Sequence, residues 1–186
     1  VNFAITSFSL ILSMKDHNYY WLGFDQHDVS VVSTTPSEFD QVMEEFEQEE
    51  GTKQVIYSTT DVGVMLPWEK GMGDPIMTAM VYDTFENINM PVIEGRNPIY
   101  SSEIVVSSLV AKQMKKDIGD YIDIYLDVDK KVSLLITGTY QSFYNPGKGC
   151  RLLGSTLIEN NVNFKYDEAS IYLDEGTDKE EYIKTY

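Results

Sequence analysis

The sequence predicts an α+β chain: a β-α-β unit in front, a β-rich middle and a β-α unit at the end. Three observations predict it. Residues 28–34 (DVSVVST) are β-branched and alternating, and a helix-start pattern and a second β-rich run at 54–66 follow. Between 76 and 140 strand patterns dominate, interrupted by one helical stretch. Residues 169–173 (ASIYL) then read as a strand before a helical run at 178–186. A β-α-β front and a β-α end lacking only its last strand can together make one split β-α-β sandwich, with the middle inserted.

The front helix carries its own start signal. Thr35 suits the N-cap, Pro36 the first helical position and Glu38 the third. Phe39, Val42, Met43 and Phe46 recur at i, i+3, i+4 and i+7 and form the expected buried stripe. Gly51 ends the helix, and Glu44, Glu45, Glu47, Glu49 and Glu50 form its wet side. Two strand segments follow at 54–60 and 63–66, then a Gly- and Pro-rich loop at 67–75.

In the middle, 76–82 (IMTAMVY) reads as a strand and 84–89 as a short helical turn. Residues 103–107 (EIVVS) form a buried strand, and 108–117 a helix with Leu109, Val110 and Met114 on one face. Its Lys112, Lys115 and Lys116 favour the C-terminal end of the helix dipole. Along 121–127 (YIDIYLD), Ile122, Ile124 and Leu126 share one face, and Tyr121, Asp123 and Tyr125 the other. A turn at 128–130 returns the chain through 132–140, which predicts a hairpin. Residues 145–149 form a loop, and 151–160 read as a short helix.

The chain has 186 residues and a formal charge of −16. That balance excludes phosphate-backbone recognition, which needs clustered Lys and Arg, and disfavours anionic lipid headgroups. Cys150 is the single cysteine, so no intrachain disulfide exists. Residues 1–14 (VNFAITSFSLILSM) are uncharged and mostly apolar. As a helix they cover about 21 Å of a roughly 30 Å hydrocarbon core. Two readings stand: the outer end of a membrane helix with Tyr19, Tyr20 and Trp21 at the interface, or a helix of a soluble domain.

Between 92 and 138 an ordered set of motifs appears. Glu94-Gly95-Arg96 precedes a strand that starts at Glu103, a helix, the Gly119-Asp120 turn and a hairpin closed by Ile136-Thr137-Gly138. In this order they resemble the extracytoplasmic core domain (the MacB-like periplasmic core domain) of MacB/FtsX-like ABC transporter permeases. The resemblance implies a split β-α-β, porter-like subdomain carrying an inserted β-rich, sabre-like subdomain. It implies residues 1–24 as the outer end of a first membrane helix and stalk, 25–66 plus 164–186 as the porter-like part, and 67–163 as the insert. A final strand and a second membrane helix are expected beyond Tyr186. It further implies an extracytoplasmic location, a cytoplasmic ABC ATPase partner reached through the membrane helices, and a permease dimer.

The motif residues themselves read as structural. Gly95 permits a positive-φ or tight turn, and Arg96 can pair with Glu94 or Glu103, or bond loop carbonyls, and so pin the loop against the sheet. Gly119 suits a helix C-terminus with Asp120 capping the turn, and Gly138 a bulge or close backbone approach.

No catalytic constellation is legible. A Glu94/Glu103 carboxylate pair has no fixed separation, and no nucleophile elbow or phosphate-cradling loop is present. His17 and His27 are too few for a zinc site, and Asp127 and Asp129 run into Lys130 and Lys131 where a calcium loop needs oxygen ligands. No cofactor and no catalytic activity are expected. Met65, Trp68, Met72, Met77, Met80 and Met90 gather around the 67–75 loop, as core filling or as an adaptable apolar surface. The alternative to a permease domain is a membrane-anchored module that captures a small ligand between its two halves.

Overall fold

The computed structural model describes residues 25–33, 36–67, 75–141 and 147–184; the apolar 1–14 segment, Thr35, Trp68 and Met72 lie outside them. The elements are β1 (Val29–Val32), α1 (Pro36–Gln48), β2 (Thr52–Met65), β3 (Ile76–Tyr82), β4 (Glu94–Gly95), β5 (Glu103–Ser107) and α2 (Ser108–Met114). They continue with β6 (Tyr121–Asp127), β7 (Lys130–Tyr140), β8 (Gly149–Leu153), α3 (Gly154–Glu159), β9 (Glu168–Leu173) and α4 (Lys179–Lys184). The chain is thus mixed α/β, rich in sheet, with few and short helices among the described residues.

Strand β2 organises the molecule. Its first half pairs antiparallel with β9, from Thr52↔Leu173 to Ser58↔Glu168. Its second half pairs antiparallel with β3, after a register shift between Thr59 and Val62. The two segments expected at 54–60 and 63–66 are therefore one continuous strand with an irregularity between them.

On one side of β2 the sheet continues through β9 to β1, both pairings antiparallel. β1 and β2 consequently run parallel with β9 between them. α1 lays Phe39, Met43 and Phe46 on Ala169, Ile171 and Leu173 of β9, and Tyr182 of α4 joins them. Each such buried side chain contributes about 2 kcal/mol of transfer free energy. Val42, expected in that stripe, is exposed at its edge.

On the other side the pairings run β2, β3, β8, β5, β7, β6 and return to β2 through Met65 and Tyr125. The ring encloses one core. Alternate residues point inward from every strand: Val64, Met77, Cys150, Ile104, Ile136 and Ile124 are all fully buried. The predicted hairpin is β6–β7, paired from Tyr121↔Leu135 to Asp127↔Lys130, with Ile122, Ile124 and Leu126 inward. Met77 enters this core, while Met80, three residues on, packs on the opposite face with Met90. These three methionines fill cores rather than a surface.

Three local readings change. Residues 151–153 belong to strand β8, parallel to β3, and the helix after it spans only Gly154–Glu159. Residues 84–89 hold a turn with Asn87 at φ 60° and no helix. Helix α2 stops at Met114 because Lys115 adopts a left-handed conformation, φ 52°, and Leu109 is exposed while Ala111 faces the core.

Candidate functional site

The motif residues meet around the second half of β7. Gly138 pairs with Gly95 and Thr139 with Glu94. Backbone bonds from Ile93 N–H to Thr139 O (2.7 Å) and Arg96 N–H to Thr137 O (3.0 Å) flank the pair. Beside it, Gly119 N–H donates to Ile136 O and Ile136 N–H to Asp120 O, both at 2.9 Å. Asp120 Oδ2 accepts from Asp117 N–H at 2.9 Å and closes that turn. Gly119, at φ 95°, lies beyond the end of α2 rather than at its C-cap.

Arg96 takes Glu103 rather than Glu94, which is exposed. The pairing is bidentate: Nη1 to Oε2 at 2.7 Å and Nη2 to Oε1 at 2.5 Å. Glu103 Oε2 also accepts from the amides of Ile99 (2.8 Å) and Tyr100 (3.2 Å). The Arg96 guanidinium and these amides hold the Glu103 carboxyl down at about 2 although the residue is only 3% exposed. A carboxyl held there is ionised at neutral pH and serves as the acceptor for Arg96 and for the two amides.

Two polar groups had escaped the reading of the sequence. Arg151 is fully buried, with its guanidinium carbon 4.1 Å from the Tyr140 ring centroid. Its Nη1 donates to Pro91 O (2.9 Å) and Asn97 Oδ1 (2.8 Å). Reading 151–160 as a helix hid this residue; as a strand, its alternation with Cys150 and Leu152 sends it to the opposite face. Asp25 is 2% exposed and accepts from Tyr172 (2.8 Å) and Tyr82 (3.2 Å). Those partners are remote in sequence, so only the fold reveals them.

A cleft of about 540 Å³ opens beside the motif, lined by Phe85, Arg96, Asn97, Pro98, Ile99 and Leu153 among others. Thr84 and Glu86 add polar groups to this lining, while Arg96 is engaged by Glu103 and Asn97 by Arg151. A second cleft, about 600 Å³, is lined by Glu49, Glu50, Asp174, Asp178 and Glu181. Among the described residues no group of three or more His, Cys, Asp and Glu is placed to hold a metal ion.

No family model matches the chain, and no curated protein matches it in sequence. Its fold does have counterparts among solved structures. The periplasmic region of MacB from Actinobacillus actinomycetemcomitans superposes at a TM-score of 0.53, with 10% identity, over 84% of this chain and 78% of that one. The extracellular domain of the noncanonic ABC-type transporter YknZ from Gram-positive bacteria superposes at 0.55, with 13% identity, over 84% and 86%. The fold is that of a MacB-like extracytoplasmic domain. At such identities the likeness concerns backbone architecture alone, and the residues singled out between 94 and 138 take their roles from the contacts just described. Among the described residues no helix is long and apolar enough to cross a membrane.

Proposed function

We propose that this chain is the extracytoplasmic domain of an ABC transporter permease, a non-catalytic part that passes ATP-driven movement to export, extraction or sensing of a substrate. The observation that carries the reading is the fold shared with the YknZ extracellular domain over 84% of this chain and 86% of that one. On this reading, residues 1–24 are the outer end of a membrane helix and its stalk. Residues 25–66 and 164–186 make the porter-like split β-α-β part, and 67–163 the inserted part. Glu94, Gly95, Arg96, Glu103, Gly119, Asp120 and Gly138 form its structural motif. A cytoplasmic ATPase and a second permease copy are the partners.

The test uses the parent protein. Expressed whole and purified from membranes, it is expected to carry four hydrophobic spans, one of them containing residues 1–14, and to co-purify with an ATPase whose hydrolysis it alters. A parent without flanking membrane spans, or one that neither binds nor affects an ATPase, overturns the proposal. The alternative, a ligand-capturing module, asks for uncommitted polar groups converging on a deep pocket. In the cleft beside Arg96 the Arg96 and Asn97 side chains are engaged internally, which favours the transmission reading.

A further inference from the structure

The four residues ahead of β1 are tied down more heavily than an edge strand requires. Asp25 sits on one face of the sheet and receives hydrogen bonds from Tyr172 of β9 and Tyr82 of β3, the strands on either side of β2. His27 Nδ1 lies 3.0 Å from Asp25 Oδ2 and 3.2 Å from Ser170 Oγ. An ionised carboxylate only accepts, so Nδ1 carries the hydrogen. Gln26 exchanges bonds with Asn89: its N–H donates to Asn89 O (3.1 Å), and its Oε1 accepts from Asn89 Nδ2 (2.6 Å).

Asp28 completes the set. Its N–H donates to Ile171 O at 3.0 Å, and its Oδ2 accepts from Leu173 N–H at 2.9 Å. Its Oδ1 pairs with Lys179 Nζ of α4 at 2.8 Å. One side chain therefore bridges the N-terminal lead-in, β9 and the last described helix. Burying a carboxylate such as Asp25 is costly, and an apolar plug would stabilise the fold as well. What hydrogen-bonded carboxylates add is a fixed geometry, and both Asp25 and Asp28 are held below the usual carboxylate range by their partners.

We propose that Asp25 and Asp28 form a clamp that joins the N-terminal lead-in and α4 into one rigid unit on β9, so that displacement of either end is delivered into the β9–β2 pair. The clamp rests on the permease reading, in which both ends lead towards membrane helices. Asp25 grips the sheet across β2, and Asp28 ties the two ends through one ion pair, whose Lys179 and Asp28 side chains are 52% and 33% exposed. Asp25 and Asp28 are positioning residues.

The test is amide hydrogen exchange on the parent permease with its ATPase in lipid vesicles, with and without ATP. Tyr172→Phe removes one hydroxyl from Asp25, and Lys179→Met removes the ion pair to Asp28; both keep the side-chain bulk, and thermal melting checks that each variant is folded. In the wild type, ATP is expected to change exchange at the amides of Asp28, Ile171 and Leu173. The double variant is expected to lose at least two-thirds of that change while its resting exchange elsewhere in β2 and β9 is kept. An undiminished response in the folded double variant overturns the clamp and leaves the permease reading standing. A wild type that responds elsewhere in the domain but not at these three amides also overturns the clamp alone, and one that responds nowhere overturns the permease reading and the clamp with it.

Discussion

Gly95 and Gly138 face each other as register partners across β4 and β7, and neither leaves room for a Cβ. A Cβ on Gly95 would stand 2.1 Å from Thr137 O, and one on Gly138 2.6 Å from Arg96 O. Both obstacles are backbone, which cannot rotate away. Gly95 is also at φ 79°, where a side chain costs about 1–2 kcal/mol before any overlap. Gly95→Ala is expected to lose about 3–4 kcal/mol and Gly138→Ala about 2–3 kcal/mol once overpacking is added. Gly119 is at φ 95° with open space around it, so Gly119→Ala should lose only about 1 kcal/mol. At Gly63, with neither strain nor crowding, alanine should be neutral or gain about 0.5 kcal/mol. Urea denaturation of the four variants checks the order; equal losses would show that the β4–β7 approach is not what the glycines serve.

The Arg96–Glu103 pair gives a pH signature. Glu103 falls from its usual 4.5 to about 2 in the fold, so between those values the unfolded chain binds more protons than the native one. The pair's contribution is therefore complete above pH 4.5 and is lost as pH falls towards 2. Arg96 is 45% exposed, so solvent and salt screen part of it. Glu103→Gln is expected to cost about 2 kcal/mol at pH 7, where hydrogen bonds to a charged acceptor are removed. Melting curves of wild type and variant should converge as pH approaches 2; a gap independent of pH would assign the loss to packing instead.

The legible parts of the fold are those where one element carries a complete local signal. The i, i+3, i+4, i+7 stripe of α1 and the period-two alternation of β6 each state an element and its buried face, and Phe39, Met43, Ile122 and Ile124 are buried as their spacing implies. β8 was not legible because all five of its residues (GCRLL) are buried, so the strand lacks the apolar–polar alternation that marks a half-buried one. β4 has two residues, too few for any periodicity. At the motif, the residues and their order were readable, but the choice of Glu103 over Glu94 depended on which carboxylate faces inward. Asp25 was invisible because Tyr82 and Tyr172 are brought to it only by β3 and β9.

Arg151 tests how much of a buried cation's contribution is packing and how much is hydrogen bonding. It stacks on Tyr140 and holds Pro91 O and Asn97 Oδ1, linking β8 to the loop that bears Arg96. Arg151→Ala removes that volume and orphans two acceptors, for an expected loss of about 4 kcal/mol. Arg151→Met keeps most of the volume and should lose about 1–2 kcal/mol, the cost of the acceptors alone. Chemical denaturation separates the two; a methionine variant as unstable as the alanine one would make the hydrogen bonds, and not the packing, the dominant contribution.

Cys150 offers a probe of the ring-shaped core. It is fully buried between Val106 of β5 and Ala79 of β3 in register, and burial pushes its thiol well above the ordinary range. The thiolate is the reactive species, so a native-state thiol here is inert at pH 8. Labelling by a thiol reagent then requires an opening that separates β8 from its neighbours. Under excess reagent the rate should follow the opening equilibrium, rising with urea along the same slope as global unfolding. Gly95→Ala should accelerate labelling about tenfold for each 1.4 kcal/mol of stability lost, because β4 and β7 belong to the same sheet as β8. Rapid labelling of the wild type without denaturant would mean that β8 opens alone, and the closed ring of strands would not be one cooperative unit.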